Sequence, residues 1–418
     1  MSELRNRQTA TQFPFAEDSY LQSLDAALHS LEPSLIATLR DLVGTPSQNI
    51  PPNGEEAECQ RKVASVLSSL GWKPDVYEPT AVASLATHPE FWPGRSYVNR
   101  PNVSARQTGS GGGRSLILSG HIDTVPIDTP VAWTRSPLGE DLEDGRLYGR
   151  GTWDMKAGVA MNLTVLRALQ LAGIRLKGDL IFETVVDEEF GGANGTLAAR
   201  LRGYLADAAV LGESTSLCIC PAQRGGRTVH ITLFGPGGIL GEQQVRARAV
   251  DQLQHVLSRI NSFQQRRERR VAVNPYFVNS SEPFAVWVTN IATGKWGWVQ
   301  PLTVPERCQL EIYWQAMPEE TQAEVEREFH EWWSETVSAR PELFPIAPAV
   351  HFPMRWLPGC SIPPSSPLVT EFGATAETCG ISARVEGLDA PSDMYIFQNC
   401  FDIPAIMWGP DGGGAHQA

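Results

Sequence analysis

The sequence predicts an α/β protein: a catalytic domain built on a mainly parallel sheet, with an α+β lid and dimerisation domain inserted into it. Three observations carry this reading. Four short apolar runs rich in β-branched residues recur along the chain, and a stretch of helical periodicity separates the first two. From Thr228 the texture changes to a different order of strands and helices.

The elements follow in order. Asn53 stands where a helix cap is expected, with Glu56 as the third residue. Apolar Cys59, Val63, Val66, Leu67 and Leu70 then recur at helical spacing until Gly71 stops the helix. Thr108–Gly113 (TGSGGG) is a low-complexity patch that reads as a turn before a strand. Ser115–Ser119, Leu180–Val186, Ala208–Leu211 and Ile403–Trp408 read as buried strands, and Lys156–Ala172 as the helix between the first two. Thr228–Phe234, the helix Val245–Ser262, the Trp-containing runs Phe284–Asn290 and Gln309–Gln315, and the helix Glu319–Thr336 make a β-α-β-β-α pattern that the strand Ala349–Met354 closes. The predicted division is residues 1–226 and 357–418 for the catalytic domain and 227–356 for the insertion.

Composition narrows the function classes. Hydrophobic content of 42% and charged content of 19% fit a globular protein. With 34 basic and 47 acidic side chains the formal charge is −13, which argues against a broad nucleic-acid or anionic-membrane surface. No apolar run approaches the roughly 18 residues that span a bilayer. The polar stretch Met1–Phe13 lacks a signal-peptide core, so the expected address is cytoplasmic. Seven scattered cysteines, with Cys218 and Cys220 as the one close pair, read as a reduced and mostly buried set.

The chemistry lies just after each predicted strand. The first runs into His121-Ile122-Asp123, the second into Asp187-Glu188-Glu189, the third into Gly212-Glu213, and the last through Gly409–Gly414 to His416. Asp154 stands at the start of the intervening helix. Ligands of open α/β sheets bind beyond the carboxyl ends of strands, so these segments should converge on one crevice. Two histidines and several carboxylates there suit one or two divalent ions such as Zn²⁺, Mn²⁺ or Co²⁺. In the pair Glu188-Glu189, one carboxylate can hold metal while the other handles protons. Taken singly, each residue has a bland reading. His121 could be a hydrogen-bonded structural histidine, Asp123 a helix cap, Glu188-Glu189 a solvated loop, and Gly412–Gly414 a flexible tail. Their recurrence at successive strand ends weighs against that.

Several stretches, in order, resemble the dimetal amidohydrolases and metallopeptidases that include acetylornithine deacetylase, succinyl-diaminopimelate desuccinylase, aminoacylase and carboxypeptidase G. They are Pro46–Cys59 (PSQNIPPNGEEAEC), Arg100–Ala105, Ser119–Pro126 (SGHIDTVP), Leu147–Gly158 (LYGRGTWDMKAG), Asp187–Thr196, Leu211–Thr215, Val304–Glu311, Ser392–Met394 and Gly409–His416. The resemblance implies that His121, Asp154 and Glu213 hold one metal, and that Asp154, Glu189 and His416 hold the other, with Asp154 bridging. It implies that Asp123 orients His121 by accepting its second N–H and that Glu188 is the general base. It further implies that the inserted domain is a lid and the interface of a homodimer or higher homo-oligomer.

Some positions depart from that pattern. Lids of this kind carry a histidine in a Gly-x-x-x-His stretch, where this chain has Gly235-Pro236-Gly237-Gly238-Ile239. A missing oxyanion donor should cost roughly 10²–10³ in acyl transfer. His230 reads as structural, and Leu302 stands near the point where the lid's usual Asn is expected. Trp287, Trp296, Trp298, Trp314 and Trp356 read as core or interface residues, with one or two available as a flat wall for an aromatic substrate. The chain ends two residues after His416, where such proteins usually continue into a helix. The expected activity is metal-dependent hydrolysis of a non-peptide C–N bond in a small carboxylate-bearing molecule, by N-deacylation or N-deformylation. The alternative is an aromatic aminohydrolase acting on an aminobenzoate such as a nitroanthranilate, which forms no carbonyl oxyanion. A catalytically silent binding protein is the rival from another class.

Overall fold

The computed structural model describes residues 18–127, 132–239, 247–294, 303–382 and 384–417. The first part contains helix α1 (Asp18–Val43), which the sequence reading did not pick out, and α2 (Ala57–Ser69). Gly71, at φ 80°, does follow the end of α2. The expected Asn53 cap does not form. Asn53 and Gly54 pair instead with Asn49 and Ile50, and Glu56 occupies the cap position without a side-chain cap bond. The Glu56 carboxylate is held instead by the guanidinium of Arg100. Strands β1 (Asp75–Tyr77), β2 (Asn102–Gln107) and β3 (Leu116–Ser119) follow, then α3 (Lys156–Leu171), β4 (Leu180–Thr184), α4 (Asn194–Leu201), β5 (Ala208–Leu211) and β6 (Ile219–Gln223).

The lid domain runs through β7 (Gly225–Phe234), α5 (Ala249–Arg270), β8 (Val286–Thr293), β9 (Arg307–Ala316), α6 (Gln322–Ser338) and β10 (Ala349–His351). Its four-stranded sheet has the order β8-β9-β7-β10 and is antiparallel throughout. A capping box between Thr321 and Glu324 starts α6. The two helices cover the sheet through Val256, Phe263, Phe329 and Trp332, which enclose the fully buried Trp314 of β9. On α5, Leu253, Val256 and Ile260 face this core, whereas Val250 and Leu257 remain 42% and 37% exposed. The edge strand β8 leaves Trp287 and Ile291 partly exposed, with Trp287 on the sheet face of Tyr313, away from the helices.

The chain then returns through β11 (Cys360–Ser361), α7 (Pro367–Thr378), β12 (Val385–Leu388) and β13 (Ala405–Met407). The main sheet has the order β11-β6-β13-β5-β3-β4-β2-β1, with β12 also paired to β6. Parallel pairing joins the four central strands β13, β5, β3 and β4. Antiparallel β2 and β1 flank one side and antiparallel β6 the other. The central strands are the four apolar runs of the sequence, because each is covered on both faces. Leu118, Phe182, Val210 and Ile406 pack toward α2 and α3, and their neighbours Ile117, Ile181, Ala209 and Met407 pack toward α4. Among the described residues no helix is long and apolar enough to cross a membrane. All seven cysteines are free thiols, five of them buried.

One close approach fixes the crevice. A Cβ on Gly158, in the first turn of α3, would stand 1.8 Å from the carbonyl oxygen of Gly212. Glycine at this point therefore lets α3 press against the end of β5, and so brings Asp154 beside Glu213. Gly158→Ala should lower stability by about 1–3 kcal/mol through overpacking against backbone. Gly373→Ala in α7, whose Cβ meets a single atom at 3.9 Å, should raise it by about 0.4–1 kcal/mol. Urea unfolding midpoints check both signs.

Candidate active site

His121 lies two residues beyond β3 and is 2% exposed. Its Nδ1 is 2.9 Å from the main-chain carbonyl of Asp123. That contact directs Nε2 at three carboxylates: Asp154 Oδ1 at 3.2 Å, Glu213 Oε1 at 3.8 Å and Glu188 Oε2 at 3.9 Å. The second oxygen of Asp154 faces His416 Nε2 at 3.4 Å, and the same nitrogen is 2.8 Å from Glu189 Oε2. One aspartate thus serves a histidine on each side. His121, Asp154 and Glu189 each offer a donor atom within 4.8 Å of the others. The structure therefore brings together His121, Asp154, Glu188, Glu189, Glu213 and His416.

Asp123 sits differently from expectation. Its carboxylate is 3.7 Å from His121 Nδ1, too far for a hydrogen bond, and its carbonyl holds the ring instead. The carboxylate Oδ2 accepts the main-chain N–H groups of Glu188 and Glu189 at 3.0 and 3.1 Å, and the Asn49 amide at 2.9 Å. Asp123 thus orients the imidazole through its backbone and the two glutamates through its side chain.

The electrostatics follow from crowding. Burial pushes Glu188 well above the usual carboxylate range, and the charges of Asp393, Glu213 and Glu189 add to it. Burial also raises Glu189 and carries Glu213 up to about 8. Asp154 goes down, because hydrogen bonds from His121 and His416 outweigh its burial. His416, bonded to Asp154 and Glu189, is raised to about 10. Burial opposes a charge on His121, yet the bond to Asp154 and the charges of Glu213 and Glu188 hold it well above the usual range. Crowding thus raises the proton affinity of Glu188, Glu189, Glu213, His121 and His416, with Asp154 the exception. No Lys or Arg lines the cavity among the described residues. This borderline O,N donor set fits Zn²⁺, Mn²⁺ or Co²⁺, and His121, Asp154, Glu189, Glu213 and His416 are the residues that would hold such ions.

Over this floor lies a cavity of about 580 Å³, walled mainly by Trp153, Phe190, Tyr313, Met354, Leu357 and Tyr395. Sequence reading did not single out these walls. Their apolar or aromatic character matches that of core residues, so no local signal separates them. Of the tryptophans considered for a flat wall, Trp314 is core, Trp287 stacks on Tyr313 at 5.8 Å, and Trp356 packs against the lid core. Trp296, Trp298 and Leu302 lie outside the described residues. His230 faces Glu311 across the β7–β9 pair, with Nε2 and Oε2 2.6 Å apart. The backbone of Ile239 pairs with that of Thr303.

A crevice at the carboxyl ends of parallel strands, with carboxylates and imidazoles on both sides of one aspartate, defines the metallohydrolase class. Residues 117–418 match the description of peptidase family M20/M25/M40, and the chain belongs to that family. It is a metal-dependent hydrolase of carbon–nitrogen bonds. It is 30% identical over 336 residues to the N-formyl-4-amino-5-aminomethyl-2-methylpyrimidine deformylase of Halalkalibacterium halodurans, covering 77% of this chain and 72% of that protein. It is 31% identical over 248 residues to the acetylornithine deacetylase of Edwardsiella ictaluri, covering 58% of this chain and 60% of that one. Among solved structures, an M20 family metallo-carboxypeptidase from Sulfolobus solfataricus superposes with a TM-score of 0.68 at 16% identity, over 92% of this chain and 93% of the other. The dipeptidase Dug1p of Saccharomyces cerevisiae gives 0.69 at 14%, over 96% and 94%. At those identities the structural likeness concerns the fold.

The raised titrations have a consequence. With His416 raised to about 10 and Glu213 to about 8, both should hold protons at pH 7 in the metal-free protein, and a dication would have to displace them. Apparent metal affinity should therefore rise from pH 6 toward pH 10 and fall in acid. Calorimetry at pH 7 in buffers of different ionisation enthalpy should show at least one proton released per binding event.

Proposed function

We propose that the protein removes a formyl or small acyl group from an amine, with Glu188 as general base. The observation that carries this reading is the division of labour in the glutamate pair. Glu189 is engaged by His416 and by the main-chain N–H of Val125, whereas Glu188 turns its carboxylate toward His121 and the cavity. In this reading His121, Asp154 and Glu213 hold one divalent ion, and Asp154, Glu189 and His416 the other. Bound there, such ions would lower the pKa of an attacking water and polarise the scissile carbonyl. Glu188 takes the proton of that water and returns it to the leaving nitrogen, a task suited to a carboxylate raised by burial.

The walls bear on the substrate. A carboxylate on the substrate meets no Lys or Arg among the described lining residues, whereas Phe190, Tyr313, Tyr395 and Trp153 suit a flat remainder. This favours an N-formyl or N-acyl amine with an aromatic or apolar body, the kind of molecule that the name of the deformylase relative describes. We also read the exposed apolar residues of α5 and the adjacent edge of β8 as a self-association face in a cytoplasmic homodimer.

Glu188→Gln should keep metal binding and lose about 10²–10⁴-fold in turnover, whereas Glu189→Gln should lose metal. Retention of a tenth of the wild-type rate by Glu188→Gln would overturn the base assignment. A screen of N-formyl and N-acyl amines beside aminobenzoates, read by product mass, separates amide from aryl-amine hydrolysis. Turnover of the aminobenzoates alone, with amidase activity gained in Ile239→His, would favour the aromatic alternative. In sedimentation at micromolar concentration, the protein should run as a dimer and Leu257→Arg should run as a monomer.

A further inference from the structure

Beneath the acidic cluster lies a second set of polar groups that the proposed reaction does not use. Asn49, Glu56, Arg100, Asp123 and Asp187 are all fully buried. The side-chain nitrogen of Asn49 donates to two carboxylates at once, Asp123 Oδ2 at 2.9 Å and Asp187 Oδ1 at 3.1 Å. Its orientation is fixed by charge, since an amide oxygen turned toward those two anions would be repelled. The oxygen of Asp123 that it contacts is the one accepting the N–H groups of Glu188 and Glu189. Asp187, the residue just before them, is held by further groups on both of its oxygens. Its Oδ2 accepts the Tyr97 hydroxyl at 2.6 Å, while Arg100 Nη2 and Arg95 Nε stand 3.5 and 3.6 Å from its Oδ1. Arg100 is itself anchored on Glu56, with its closest contact at 2.6 Å. Asp187 adopts a left-handed backbone at φ 68°, a conformation uncommon for non-glycine residues though better tolerated by Asp than by most, and here it falls at the turn into the two glutamates.

We propose that Asn49 is a positioning residue: its amide ties Asp123 to Asp187 and thereby fixes the turn that presents Glu188 and Glu189 to the site. The proposal rests on the roles given to those glutamates above. On one side of the link is the segment whose carbonyl aims His121, and on the other is the turn with the two glutamates. Without the amide, two buried carboxylates face each other with no shared donor, and the turn loses its register against the histidine. An aspartate at position 49 would put a third anion between them. Three of the motif stretches thus acquire a purpose, because Asn49 and Glu56 come from the first, Arg100 from the second, and Asp187 from the DEE segment.

The test is Co²⁺ binding to the metal-free full chain, followed by calorimetry and visible absorption. It compares the wild type, Asn49→Ala, Asn49→Asp and a packing control, Val63→Ala, in the α2 core. Asn49→Ala should lose about 10–100-fold in Co²⁺ affinity, the cost usual for a residue that supports metal ligands, and Asn49→Asp more. Val63→Ala should lose thermal stability and keep wild-type affinity and spectrum. With an N-formyl amine as substrate, Asn49→Ala should also lower kcat at least tenfold with KM within threefold. Wild-type Co²⁺ affinity in Asn49→Ala would overturn the proposal, and so would an equal affinity loss in Val63→Ala. If Asn49→Asp does not fold, Asn49→Ala decides. Failure of wild-type protein to bind Co²⁺ would instead overturn the metal reading of the site, and this proposal with it.

Discussion

Four carboxylates share one crevice, and the cost of gathering like charges away from water governs the rest of the architecture. Asp154, Glu188, Glu189 and Glu213 would repel one another in any flexible setting. They are held together because three come from the turns beyond β4 and β5, the parallel strands on either side of β3, and the fourth from a helix start pressed onto the end of β5. The contact of Gly158 with Gly212 sets that last approach. The crowding raises the proton affinity of Glu213, and the carboxylates beside His416 raise its own, so a divalent ion entering the site would compete with protons there.

A contrast between two tiers shows how the fold separates support from chemistry. In the lower tier every acid has a fixed partner: Glu56 has Arg100, Asp187 has Tyr97 and two guanidinium groups, and Asp123 has the Asn49 amide and two backbone N–H groups. In the upper tier no Lys or Arg approaches among the described lining residues, and the acids face histidines and the cavity. Fixed partners below thus hold the support in place. The Asp187–Glu189 turn joins the tiers, so its placement decides whether the upper one is correctly assembled.

The lid contributes walls more than charge. Tyr313 of β9, with Met354 and Leu357 on the returning chain, closes one side of the cavity, and Trp153, Phe190 and Tyr395 close the others. Trp153 is held by its indole N–H, which donates to the carbonyl of Pro410 at 3.0 Å, next to the loop that carries His416. A substrate pressed against these rings would therefore touch the same loop that supplies a histidine to the floor.

The sequence by itself determined the central parallel strands and the residues at their ends. Strands buried on both faces must be apolar throughout, and three of the four runs here give way within two residues to an acid or a histidine, while the fourth leads through a glycine-rich loop to His416. It also carried the order of strands and helices in the lid, where apolar periodicity is strong. Helix α1, the flanking strands β1, β2 and β6, and the cavity walls were not legible, because mixed polarity or ordinary core character gives no distinct period. Asn53 misled because its backbone pairs with that of Ile50, and the Glu56 carboxylate, the expected other half of a capping box, is bound by Arg100, 44 residues away. Tertiary structure alone decided that the carbonyl of Asp123, rather than its carboxylate, aims His121. It alone showed that Asn49 meets Asp123 and Asp187 across separations of 74 and 138 residues. Hydrogen bonds over such distances depend on where strands finally stack, and no local pattern of residues encodes that.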